Sequence, residues 1–171
     1  MTGKMRTVSE VVSAVTAEME TYFGADARRI DHAHRVLDFA RRINAVQKAD
    51  PLVVECAAAL HDIGIHEAER KYHSTAGNYQ EIEGPPIADG ILARYPEIDS
   101  ADREHIGKMI ANHHSARDID TPEFRVLWDA DWLVNIPDEL GTDDPVKLRR
   151  CIDRIFKTDA GRSIAEKLYL A

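Results

Sequence analysis

A chain of 171 residues, 44% hydrophobic and 30% charged, is long enough to bury one core, and no apolar run in it approaches bilayer length. Its formal net charge of −8 argues against a general nucleic-acid binder, which needs clustered Lys and Arg, but leaves a small phosphorylated substrate open. No secretory pattern follows Met1, and Cys56 and Cys151 both fall in apolar helical patterns. A cytoplasmic protein with reduced thiols is expected, with neither membrane nor nucleic acid as partner and a homodimer left open.

Residues 7–23 open with a capping-box pattern, Thr7 to Glu10, and set Val8, Val11, Val12, Val15 and Met19 on one face. The next helix is expected over 31–46, with Val36, Phe39, Ala40 and Ile43 as its stripe. That register turns His32 inward and His34 toward solvent. Asp50-Pro51 then caps an almost wholly apolar helix that runs through Ala57-Ala58-Ala59-Leu60 into His61-Asp62, with Gly64 as its exit. A helix apolar nearly all round is buried, so His61 and Asp62 are expected inside, where unpaired charge is costly. A metal ion is their natural partner.

Residues 65–72 read as a short charged helix followed by a loop, and a piece over 78–83 leads to Gly84-Pro85-Pro86. The prolines are expected to begin a helix that Pro96 stops. Residues 99–114 place Ile106, Met109, Ile110 and His113 on one face, with His114 at its edge, whereas His66, His73 and His105 read as surface residues. Pro122 starts a strongly apolar helix that Pro137 ends, and Asp131 shares its buried face with Leu127 and Val134. Two more helices follow, from Asp143-Asp144-Pro145 and from Thr158. No stretch alternates with period two, so the fold class is all-α, roughly eight helices in one domain over 1–171.

Four inward polar residues thus stand on three helices: His32, His61, Asp62 and Asp131. Two imidazoles and two carboxylates suit Mn, Fe, Co, Ni or Zn better than a thiolate-rich structural zinc site does. The order His32, then His61-Asp62 within Ala58–Gly64, then Asp131 within Asp129-Ala130-Asp131-Trp132-Leu133, resembles the HD-domain superfamily of metal-dependent phosphohydrolases. The resemblance covers about residues 30–136, with helices over 143–170 expected to pack on that core. Residues 67–72 and 79–86 resemble a subset of that superfamily without a substrate assignment.

The resemblance implies an all-helical HD bundle that hydrolyses a phosphoester in a nucleotide or other small phosphorylated metabolite. A divalent ion held by His32, His61, Asp62 and Asp131 would activate a water and neutralise phosphoryl charge, and Asp62 would also accept the water's proton. One ion per chain is expected, because Gly84 stands where some HD proteins carry a further histidine; Glu83 and His113 are the substitutes available for a second. The candidates for substrate binding are Arg70, Lys71, His113, His114 and Lys157. Residues 66–84 are expected as a partial lid that brings Arg70 and Lys71 to the phosphate. Two alternatives stay open: a dinuclear iron oxygenase on the same fold, and a non-catalytic metal-containing nucleotide-sensing module.

Overall fold

The structure, a computed structural model, describes residues 5–171. Among the described residues there are nine helices and no strand: α1 Val8–Phe23, α2 Ala27–Gln47, α3 Pro51–Leu60, α4 Ile65–Tyr72, α5 Gly77–Leu92, α6 Ser100–Ile110, α7 Pro122–Glu139, α8 Pro145–Ile155 and α9 Asp159–Tyr169. Side-chain caps set most of the starts, because the first backbone N–H groups of a helix have no partner within it. Thr7 caps α1 in a full capping box, Asp50 accepts from Leu52 and Val53 ahead of α3, and Thr158 accepts from Gly161 at α9. None of these helices is long and apolar enough to cross a membrane.

The core is organised on α3, which α1, α2, α6 and α7 all touch. Its run Ala57-Ala58-Ala59 is buried and small, so four helices can approach one axis closely. α2 and α7 lie antiparallel: the Asp50 amide, just past α2, donates to Glu123 near the start of α7, whereas His32 near the start of α2 meets Asp131 further along α7. α9 packs on α7, α8 and α2, closing the bundle.

Four expectations about element boundaries need correction. α2 begins at Ala27 rather than at 31, because Asp26 accepts from the Arg29 amide, and this draws Arg28 and Arg29 into the helix. α5 runs unbroken through Gly84-Pro85-Pro86, so no helix starts there. The prolines forfeit two helical donors, but tertiary packing holds this stretch in place: a Cβ on Gly64 would lie 2.5 Å from the Gly84 nitrogen and 2.8 Å from the Gln80 oxygen. The short helix expected over 65–72 is α4, and the piece expected over 78–83 belongs to α5. Finally, α7 passes Pro137 to Glu139, and α6 ends at Ile110, leaving His113 and His114 in the turn beyond it.

Candidate metal centre

His61 is the residue on which α3 ends, and its ring is fully buried. Its Nδ1–H donates to the Ala58 carbonyl at 2.8 Å, which leaves the Nε2 lone pair facing inward. There Nε2 meets the Nε2 of His32 at 3.1 Å, the Asp62 Oδ2 at 3.5 Å and the Asp131 Oδ1 at 3.5 Å. His32 Nε2 is also 3.1 Å from Asp131 Oδ1 and 3.4 Å from Asp62 Oδ2. Asn135, one turn beyond Asp131, donates to that same Oδ1 at 2.9 Å and fixes the carboxylate.

The donor set fits a cation. An ion ~2.1 Å from each ligand places neighbouring ligand atoms ~3.0 Å apart at a right angle and ~3.4 Å apart at the tetrahedral angle. The spacings found here, 3.1 to 3.5 Å, are of that size. The backbone bond that sets the His61 tautomer is the kind of outer contact that orients a ligating imidazole.

Electrostatics point the same way. Burial works against a charged His61, but the Asp62 and Asp131 carboxylates outweigh it and raise the group to about 9. Burial would likewise raise Asp62 and Asp131; instead His61 and His113 pull Asp62 down, and His32 and His61 pull Asp131 down. The cluster therefore favours positive charge at its centre, which a divalent ion supplies.

His113 adjoins the cluster. Its Nδ1 donates to the Ile110 carbonyl at 2.7 Å, and its Nε2 lies 3.3 Å from the Asp62 Oδ1, the oxygen not shared with His32 and His61. Asp62, His113 and His114 each offer a ligand atom, all within 4.8 Å of one another, beside the group that His32, His61 and Asp62 form by the same measure. The His114 ring covers Gly77, and its Nε2 is 3.2 Å from the Gln80 Oε1. His114 stays partly open to solvent; desolvation of the covered part of its ring and the neighbouring His113 push its pKa down. Glu83 is engaged elsewhere, accepting from Lys71 Nζ and Tyr72 Oη, both at 2.8 Å.

The other expected substrate residues do not gather here. The Arg70 side chain is 68% exposed and forks onto Glu67, Lys71 pairs with Glu83 and Glu67, and Lys157 Nζ sits 5.1 Å above the Trp128 ring. None of the three lines the cleft of about 420 Å³ that opens over His32, Asp62 and Asp131. Three arginines absent from the expectation do: Arg28, Arg29 and Arg35. Their signal was present as spacing, since Arg28 lies four residues before His32 and Arg35 three after it, on one helical face.

The chain belongs to the HD-domain family: the family model for the HD domain matches residues 29–136. Two solved structures cover 96% of the chain, each over 92% of its own length. One is a predicted HD superfamily hydrolase from an uncultured Thermotogales bacterium, at 24% identity and a TM-score of 0.67. The other is Bacillus subtilis YpgQ, at 20% identity and a TM-score of 0.65. At those identities the likeness is one of fold. A deoxyguanosinetriphosphate triphosphohydrolase-like protein of Bifidobacterium longum is 36% identical over 84 residues, 46% of this chain and only 18% of the relative's length.

Proposed function

We propose that this protein is a metal-dependent phosphohydrolase acting on a small phosphorylated metabolite, with a nucleotide as the leading substrate class. The observation that carries the reading is the meeting of His32, His61 and Asp62 ligand atoms within 4.8 Å of one another, with Asp131 Oδ1 3.1 Å from His32 and 3.5 Å from His61, at the base of a cleft whose rim holds three arginines. Membership of the HD-domain family and the name of the Bifidobacterium relative support the same class. Bound here, a divalent ion supplies Lewis-acid chemistry, lowering the pKa of water toward neutrality and offsetting charge on a phosphoryl oxygen.

The chain's own residues do the rest. Ala58 and Asn135 lock His61 and Asp131 in ligating orientations, so little reorganisation is needed on binding. Arg28, Arg29 and Arg35 offer forked donors to phosphate oxygens, a geometry that lysine lacks. Asp62 turns Oδ2 to the cluster and Oδ1 to the His113 Nε2, so one carboxylate adjoins both the ion site and a neighbouring ring. In this reading Asp62 takes the proton of the attacking water.

The test is release of phosphate or pyrophosphate from a panel of nucleotides and phosphomonoesters with Mn²⁺, Co²⁺ or Ni²⁺ added. Chelation and His61→Ala should each abolish it. Binding without turnover across the panel would move the reading to a sensing module.

A further inference from the structure

Outside the ligand cluster, six charged side chains line the cleft: Arg28, Arg29 and Arg35, and against them Asp31, Asp138 and Glu139. Among the described residues no ion pair joins any of the six to an opposite charge, although nine arginines elsewhere in the chain are paired. The arginines stand on α2 with Asp31 among them, whereas Asp138 and Glu139 stand on α7, across the cavity of about 420 Å³.

The separation follows from the antiparallel packing of α2 and α7. The N-terminal end of α2 and the C-terminal end of α7 both open at this cleft, so the positive pole of one helix faces the negative pole of the other. The side chains follow the poles: Arg28 and Arg29 belong to the first turn of α2, Asp138 and Glu139 to the last turn of α7. Along α7, Asp138 stands seven residues beyond Asp131, or ~10 Å at 1.5 Å per residue, with Asn135 between them. The cleft therefore has an α2 wall with three arginines and Asp31, an acidic α7 wall with Asp138 and Glu139, and the candidate metal ligands at its base.

Resting on the phosphohydrolase reading above, we infer that Asp138 and Glu139 set specificity by requiring a bipolar substrate. Its phosphoryl part lies on Arg28, Arg29 and Arg35, and a hydrogen-bond-donating part, bearing hydroxyl or amino groups, is accepted by the two carboxylates. A ligand anionic at both ends meets repulsion at the acidic wall. Discrimination then comes from an unfavourable contact as much as from favourable ones.

ATP and inorganic tripolyphosphate separate these contributions, since both carry a three-phosphate chain and only ATP carries a donor-bearing end. Calorimetric titration of the metal-loaded protein at low temperature should give at least tenfold tighter binding of ATP. The double variant Asp138→Asn with Glu139→Gln should lose that preference, binding tripolyphosphate more tightly and ATP more weakly, with melting temperature and metal content unchanged. Arg28→Ala should weaken both ligands alike. Equal affinities in the parent protein, or a preference that survives in the double variant, would overturn the inference. Binding of ATP and tripolyphosphate without hydrolysis of anything in the panel would sink the functional reading alone, because the comparison of affinities needs no turnover. Failure of the parent to bind either ligand would overturn both.

Discussion

The Nε2 atoms of His32 and His61 face each other across 3.1 Å, and the His61 ring already gives its Nδ1 proton to a backbone carbonyl. Two imidazole nitrogens in that relation, flanked by two carboxylates, leave lone pairs that a shared cation would satisfy. His61→Ala or Asp131→Ala should therefore cost well over the ~10- to 100-fold in metal affinity that loss of an outer supporting contact brings. Elemental analysis of the purified variants checks it, and full occupancy would refute the ligand assignment. His34→Ala should leave metal content untouched, because His34 lies on the outer face of α2, 2.6 Å from Glu20.

The cleft arginines supply the second prediction. A charge-assisted hydrogen bond is worth roughly 1.5–3 kcal/mol, so Arg28→Ala or Arg29→Ala should raise KM by about tenfold or more. Arg70→Ala should change neither KM nor kcat, since its guanidinium is bound to Glu67 in solvent. Steady-state kinetics on any substrate found in the panel distinguishes the two groups. Loss of activity in the Arg70 variant would return α4 to the substrate site.

What could be read from the sequence divides along physical lines. His32 and His34 were separable because helical periodicity fixes which of two nearby side chains shares a face with Val36 and Phe39. Burial of His61, Asp62 and Asp131 followed from the apolar character of the helices carrying them. Arg28 and Arg29 fall outside a helix expected from 31, although Asp26 offers a cap five residues earlier than that. The unbroken α5 was not legible at all: local rules take Gly-Pro-Pro as a boundary, and only the contact of Gly84 with Gly64 and Ile110 overrides them. The position of Lys157 likewise depends on a contact with Trp128 that no local pattern encodes.

That glycine contact yields a stability prediction. A methyl at Gly64 meets the Gly84 and Gln80 backbone, which has no rotamer to relieve the overlap, whereas a methyl at Gly84 meets the Ile110 Cγ2 at 2.8 Å. Overpacking commonly costs ~1–3 kcal/mol. Gly64→Ala should fall at or beyond the upper end of that range and Gly84→Ala below it. Urea denaturation of both variants tests the order.

Acid stability offers a fourth. Arg6 grips Glu97 through its side chain and its amide, three hydrogen bonds of 3.0 to 3.1 Å, and holds that carboxyl down to about 2 from an ordinary 4.5. A carboxylate with a depressed folded-state pKa contributes stability that is complete above 4.5 and is lost as pH falls toward 2. Glu97→Gln should therefore lower stability above pH 4.5 and flatten its decline between 4.5 and 2. Because the pair lies at the surface, salt should shrink the difference. Urea midpoints across that pH range at two ionic strengths measure both effects.

The segment Asp129-Ala130-Asp131 assigns its two carboxylates opposite tasks. Asp131 turns to the ligand cluster, while Asp129, fully buried, accepts from the Lys157 amide at 2.8 Å, the Thr158 amide at 2.8 Å and the Thr158 hydroxyl at 2.7 Å. The Thr158 hydroxyl oxygen in turn caps α9 by accepting from Gly161 at 2.9 Å, and a Cβ at Gly161 would run into the Asp129 carboxylate. Removing Asp129 strands two amides and a hydroxyl in the interior, where each unsatisfied group costs ~1–3 kcal/mol. Asp129→Ala should thus destabilise the fold by about 3 kcal/mol or more, loosening α9 first, with the folded fraction still binding its metal. Chemical denaturation together with metal analysis of the folded fraction decides this. Metal loss with unchanged stability would show that Asp129, not Asp131, is the ligand.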